Sequence, residues 1–268
     1  MVILMSKVID LVNAESAIQA IKNNKRIDGR ALTDFRDLEI KTGLMKSADG
    51  SAWVKLGKTE VIAGIKFAVG TPYPDSPNEG SMSLNLEMTG VASPDFNTGP
   101  PKIAAVEFGR VADRAIRSAE TVDFEKLCII PGEKVFIMFI DCYVVNADGN
   151  LIDATELAAI SAIKNARLPK LDEDHNIIHK EYTDERVGLK NIPISITFSK
   201  VGDKIIVDPT EVEDVASTVR FSLGLVDDTM VSCQKSKGGT LTQAEVNSMI
   251  DLAVDKYAKI ADIIKKQN

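Results

Sequence analysis

The sequence predicts an α+β fold of two mixed units, and three observations carry this. Short runs of alternating or continuous apolar residues read as strands, several longer segments repeat every 3.6 residues, and the two kinds interleave: strands, helix, strand, helix, strands again and a final helix. No close internal repeat relates the halves, so their kinship rests on element order alone. The expected organisation is an N-terminal helix over residues 1–25, a first half over 26–185 and a second half over 186–268. The 268 residues and 44% hydrophobic content suffice for a sizeable core.

The pattern from Lys7 to about Asn24 places Val8, Ile9, Val12, Ala17, Ile18, Ala20 and Ile21 on an approximate helical face that can follow a Ser6 cap. Strands follow at LEIKTGLM and at GSAWVKLGKTEVIAGIKFAVG, where LGKT makes the turn. TPYPDSPNEGS and SPDFNTGPP are loops around the strand MSLNLEMTG. Residues 103–119 form the most informative helix: Arg110, Arg114 and Arg117 fall within about 60° of one another, opposite Phe108, Val111, Ala112, Ala115, Ile116 and Ala119. EKVFIMFIDCYVVNADG reads as a long, nearly continuous apolar strand with an ADGN turn. The small-residue helix IDATELAAISAIKNARL then suits close packing on a sheet.

The tract PKLDEDHNIIHKEYTDERVGLKN reads as a polar linker. Beyond it IPISITFSKVGDKIIVDP turns at Gly202 and Asp203 as a hairpin with Ile194, Ile196 and Phe198 on one face. Thr210 and Glu213 have capping-box spacing over a short turn before a strand around Val219, Phe221 and Leu223. Thr242 and Glu245 cap a final helix striped with Val246, Met249, Ile250, Ala253, Val254, Tyr257, Ile260, Ala261 and Ile264.

A net charge of −7 and 5% aromatic residues exclude a free-standing basic nucleic-acid module, so any polyanion site must be local. Cys128, Cys142 and Cys233 are odd in number and widely spaced, which favours reduced, buried thiols in a cytoplasmic protein over a disulfide framework. The N-terminal stretch lacks the apolar core of a secretory signal, and no run reaches the roughly 18 apolar residues of a membrane span. His175 and His179 read as surface residues without a third metal ligand, and GKT at Gly57–Thr59 as a hairpin turn rather than a nucleotide loop. Asp208, Glu211, Glu213 and Asp214 read as a solvated acidic turn, with Mg²⁺ binding as the alternative. No cofactor is implied.

The arginine ridge demands compensation, because three guanidinium groups on one face repel and cannot deprotonate. Salt bridges to Glu107 and Glu120 are one solution; phosphate-backbone binding is the other. No RNP motif, GXXG loop or aromatic platform points to base-specific reading.

The ordered segments RIDGR, GSAWVKLGKTEVIAGI, EFGRVADRAIR, GEKVFIMFIDCYVVNADGN, DATELAAISAI and DPTEVED resemble the RNase PH superfamily over nearly the whole chain. Within it they resemble the non-catalytic RNase-PH-like subunits of the archaeal exosome. The resemblance implies an RNase PH fold of two βαβα-type halves related to the ribosomal protein S5 domain 2-like fold. It also implies a hexameric ring, a trimer of heterodimers with a catalytic RNase-PH-like paralogue, carrying RNA-binding cap subunits on one face. Such complexes shorten single-stranded RNA from its 3′ end with inorganic phosphate.

Set against the catalytic pattern, three positions depart. Active members carry two aspartates six residues apart; here Asp214 matches the first and Arg220 replaces the second. A hydroxyl and an arginine that follow the ADG turn become Leu151 and Ile152, and Asp153 adds negative charge where phosphate would sit. An arginine pair before the ridge helix falls near Ile103 and Ala104. The resemblance therefore implies no catalytic residue in this chain and assigns Arg110 and Arg114, then Arg117 and Lys102, to RNA, with Arg26 and Arg30 as further phosphate or interface contacts. An autonomous phosphate-dependent exoribonuclease and a purely structural ring spacer are the competing readings.

Overall fold

The computed structural model describes residues 2–96 and 99–267, with side chains from Val12 onward. Helix α1 (Val2–Lys22) starts before Ser6, which therefore lies inside the helix rather than capping it. Val8 and Ile9 have side chains outside the described set. Val12 is 61% exposed, and Ala14, Ala17 and Ile21 form the buried face instead. That face packs on Val201, Ile206 and the short helix α4 (Glu211–Ala216).

A six-stranded sheet forms the first half: β1 (Leu38–Thr42), β2 (Gly50–Leu56), β3 (Thr59–Gly70), β6 (Lys134–Asn146) and β4 (Ser81–Met88) in that order, with the short β5 (Cys128–Ile130) on β6. β4 runs parallel to β6, because helix α2 (Ile103–Ser118) and its flanking loops lie between them in sequence; the other pairs are antiparallel. The central β6 alternates: Met138, Ile140, Cys142 and Val144 are buried while Phe139 and Tyr143 are exposed on the other face. The continuous apolar run thus covers one closed and one open face rather than two closed ones.

Helix α3 (Leu151–Asn165) is buried from Leu151 to Ile163, packed between β2 and β3 of the first sheet and β9 of the second. Its alanines permit this. Ala162 comes so close to β2 that a Cβ on Gly50 would stand 2.6 Å from its carbonyl oxygen. The second sheet runs β10 (Lys204–Val207), β9 (Ile194–Val201), β11 (Val219–Val226), β12 (Thr229–Ser236), with α5 (Gln243–Lys265) packed on β9 and β11 through Met249, Ala253, Tyr257, Ile260, Ala261 and Ile264. Both predicted capping boxes form.

Three expectations change. The supposed linker is a hairpin, β7 (Arg167–Leu171) with β8 (Ile177–Arg186), whose polar composition reflects its exposed faces; His175 sits at its turn and His179 on β8. β12, with little apolar periodicity, had no sequence signal. Cys233 on that strand is exposed and only Cys142 is fully buried; all three cysteines are free. No described helix is long and apolar enough to cross a membrane.

The acidic turn after β10 is interior at Asp208 and Glu213 rather than solvated throughout, while Glu211 is exposed and Asp214 half-buried. Asp208, fully buried and in the left-handed region at φ 50°, accepts hydrogen bonds from Arg36 Nε (2.8 Å), Arg36 Nη2 (2.7 Å), the Arg36 amide (2.9 Å), Arg30 Nη1 (3.0 Å) and Asn150 Nδ2 (2.7 Å). Arg26 is bonded to Glu213 through both carboxylate oxygens and donates to the carbonyls of Val207 and Asp208, each at 2.8 Å. Burial opposes the charge of Arg36, but its bonds to Asp208 outweigh that and raise its pKa. Arg26 and Arg30 are thus committed inside the fold, which removes them as free phosphate contacts. Removing one partner of such a cluster strands buried charge. Asp208→Ala is expected to cost about 3–5 kcal/mol, read as a lowered denaturant midpoint at unchanged slope.

Glu156 on α3 is fully buried with no hydrogen bond to either carboxylate oxygen. Burial pushes its pKa from 4.5 up to about 8, with Ser195 nearby easing the shift only partly. The unfolded chain ionises this group near 4.5 whereas the folded one resists until about 8, so the stability it contributes is complete below pH 4.5 and lost as pH rises towards 8. Glu156→Gln removes that loss. The variant should match the wild type near pH 4.5 and exceed it by roughly 2–4 kcal/mol at pH 8 in paired denaturant titrations.

Candidate functional site

The ADG turn after β6, the first turn of α3, α4 and the start of β11 converge on one cavity of about 190 Å³, lined by Phe96, Phe108, Leu151, Ile152, Asp214 and Arg220 among others. Gly149 makes the convergence possible. At φ 78° its turn lies so close to Pro209–Glu211 that any Cβ would collide with their backbone. Asn150, also left-handed at φ 49°, ties the turn down by donating to Asp208 (2.7 Å) and Asp153 (2.8 Å).

The chemistry inside this cavity is that of a filled space. Leu151 and Ile152 line it with apolar carbon and offer no hydrogen-bond donor from their side chains. Asp153 does not confront an incoming anion, as its sequence position suggested. It is buried and turned towards β9, where the Thr197 amide (2.9 Å) and hydroxyl (2.6 Å) donate to it. Burial lifts its pKa to about 7 against those bonds. The carboxylate of Asp214 faces two cations, Arg220 Nη1 at 3.2 Å and Lys237 Nζ at 3.3 Å. Arg220 also reaches Glu107 of α2 at 3.4 Å, and its guanidinium lies 4.7 Å from the Phe108 ring centroid. An acid so neutralised is a poor ligand for a divalent ion. Ile103 is 88% exposed at the start of α2, next to Ala104, and neither supplies charge.

On the outer face of α2 the ridge appears as its periodicity predicts: Arg110, Arg114 and Arg117 are exposed, while Ala105, Gly109, Ala112, Ala115 and Ile116 are buried. The three arginines differ in commitment. Arg117 is held by Asp113 (2.8 Å) and donates to the Met82 carbonyl. Neither acid that seemed placed to neutralise the ridge does so: Glu107 is taken by Arg220 and the Ser236 hydroxyl, and Glu120 pairs with Lys190 at 2.7 Å. Arg110 and Arg114 have no ion pair among the described residues. Together with Glu107, Val111, Ser232, Cys233 and Gln234 they line a cleft of about 210 Å³ between α2 and β12. Lys102, at the N-cap of α2, is exposed, with its ammonium on the Asp95 carbonyl at 2.7 Å.

A larger cavity of about 800 Å³ lies between residues 27–37 and α5, lined by Arg30, Asp34, Lys58, Asp148, Lys256 and Lys259 among others. Its acids and bases alternate in sign, and its innermost cations, Arg30 and Arg36, are bonded to Asp208. Its lysines stand among Asp28, Asp34, Asp37 and Asp148, whereas Arg110 and Arg114 share their cleft with a single acid, Glu107, which is bonded to Arg220.

Residues 34–169 match domain 1 and residues 191–256 domain 2 of the 3′ exoribonuclease (RNase PH) family. An exosome complex component Rrp42 from Thermococcus gammatolerans is 43% identical over 250 residues, covering 92% of each chain. Among solved structures, a chain of the Archaeoglobus fulgidus exosome with RNA bound to the active site superposes with a TM-score of 0.89 at 36% identity, covering 95% of this chain and 98% of that one. A chain of an archaeal exosome core gives 0.86 at 34% identity, covering 97% and 99%. With both domains in order and similarity along nearly its full length, the chain belongs to the 3′ exoribonuclease (RNase PH) family.

Proposed function

We propose that this chain is the non-catalytic ring subunit of an archaeal exosome. It alternates with a catalytic RNase-PH-like paralogue as a trimer of heterodimers and supports RNA-binding cap subunits. It contributes cationic contacts to single-stranded RNA, in the cytoplasm, while the paralogue performs phosphorolysis. The observation that carries this reading is the Asp214–Arg220 ion pair, which occupies the position where active members hold two acids. The relatives and superposing structures, all exosome components, support the assembly. The division into 1–25, 26–185 and 186–268 belongs to the same reading, with the first residues of the middle segment docked on the last through Arg26, Arg30 and Arg36.

RNA contact falls to Arg110 and Arg114, whose guanidinium groups match phosphate oxygens and have no acid partner. Arg117 is divided between its ion pair and the ridge, and Lys102 extends the positive surface at the N-terminus of α2. The contact is insensitive to sequence, because side chains that hold phosphates carry no information about bases.

Three outcomes follow. Phosphate-dependent release of nucleoside diphosphates from a single-stranded RNA should be strong for the co-purified pair and absent for this chain alone. Arg220→Asp should leave the isolated chain inactive, because Leu151 and Ile152 still supply no phosphate donors; diphosphate release in proportion to its concentration would contradict the reading. In the assembled ring Arg114→Glu should weaken RNA binding by about five- to thirtyfold, the equivalent of about 1–2 kcal/mol, more at low salt than at high, with assembly intact. Unchanged binding would favour a ring spacer whose arginines serve only protein contacts.

A further inference from the structure

We propose that Arg220 is a positioning residue for RNA, acting through Glu107: by occupying that carboxylate it keeps it from pairing with Arg110 and so leaves the guanidinium groups of Arg110 and Arg114 available to phosphate. This rests on the reading of the ridge as the RNA contact.

Glu107 lies three residues before Arg110 on the same helix, a spacing at which an acid and an arginine ordinarily pair. Here they do not. The Glu107 carboxylate, which borders the same cleft as Arg110 and Arg114, is instead held by two donors from the second sheet, Arg220 Nη2 at 3.4 Å and the Ser236 hydroxyl, both on the same oxygen. These donors come from directly opposed positions of β11 and β12, where Arg220 pairs with Ser236 in register, so the sheet presents them as one unit. Arg220 is well placed to hold an acid. Its side chain is 13% exposed, it rests on the Phe108 ring, and Asp214 anchors it from the other side at 3.2 Å. Lys237 shares the charge of Asp214 at 3.3 Å, which leaves the second branch of the guanidinium to Glu107.

The electrostatic consequence is local. A free carboxylate one turn from Arg110 competes with RNA phosphates for that guanidinium, and a part-exposed pair of this kind is worth about two- to fivefold in binding. Removing the Arg220 charge leaves Glu107 with Ser236 alone and free to swing towards Arg110. The arginine at the former acid position therefore does more than abolish chemistry: it keeps the neighbouring helix cationic.

The test uses the ring reconstituted with the catalytic paralogue, a single-stranded RNA with a free 3′ end, and phosphate-free buffer for binding. Arg220→Met should assemble normally and weaken RNA binding about two- to fivefold at low salt, with a shallower salt dependence; in phosphate, KM should rise with kcat unchanged. Glu107→Gln alone should bind within about twofold of the wild type, since Arg220 already occupies the acid. The double variant Arg220→Met, Glu107→Gln should recover wild-type affinity. That recovery separates the mechanism from simple propping of α2, because the double variant also lacks the Arg220–Glu107 bridge.

Wild-type binding by Arg220→Met, or a double variant as weak as Arg220→Met, overturns the inference. If Arg220→Met does not assemble, Glu107→Gln decides alone: tightening by more than about threefold means that Glu107 already neutralises the ridge in the native ring. Arg114→Glu in the same assay separates the two layers. Weakening there with no effect of Arg220→Met removes this inference only, whereas wild-type binding by Arg114→Glu removes the ridge reading and this inference with it.

Discussion

The carboxylate of Asp208 collects Arg30, Arg36 and Asn150 at a point where the two halves of the chain meet. Arg30 and Arg36 belong to the segment before β1, Asn150 to the turn before α3, and Asp208 itself to the end of β10. A fully buried charge is tolerable only when its acceptors are saturated by donors, and here the donors come from two parts of the chain, both remote from Asp208 in sequence. Their common acceptor fixes where the ADG turn stands relative to the turn over α4. Gly149 permits the close approach and Asp208 holds it. The cavity that joins Leu151, Ile152, Asp214 and Arg220 exists because those two turns are locked together.

Within that frame the cavity is a structural junction. Arg220 joins α4 to α2 through Asp214 and Glu107, Lys237 closes Asp214 from the other side, and apolar side chains line the first turn of α3. Each part is locally consistent: the cation has acids, the acid has cations, and the carbon is buried. On α2 the same contacts leave Glu107 occupied and Arg110 and Arg114 without an ion pair among the described residues, and the Arg220–Glu107 bridge links the cavity to the cleft those arginines line.

Much of this was legible in the sequence. The 3.6-residue period of α2 separates buried alanines from exposed arginines, and the capping boxes at Thr210 and Thr242 form as their spacing requires. Other features had no local signal. β12 carries Thr, Ser, Gln and Lys without an apolar stripe, because it is the edge strand of its sheet and its inner contacts are few. The β7–β8 hairpin looks like a linker for the same reason: strand pairing is a backbone interaction that polar side chains tolerate. Asp153 was misjudged because helix position alone does not tell which way an N-terminal side chain turns, and Thr197, forty-four residues away, accounts for its direction.

The sequence by itself determined the periodicities and the family pattern, since these depend on residue type and spacing along one chain. Tertiary structure alone decided which charges are spent and which are free. Arg26, Arg30 and Arg36 face buried acids more than a hundred residues distant, Glu107 bonds to Arg220 rather than to its helical neighbour, and Arg110 and Arg114 form no ion pair among the described residues. The reason is physical: a charge is neutralised by what lies within about 4 Å in space, and proximity across the fold is not encoded in proximity along the chain.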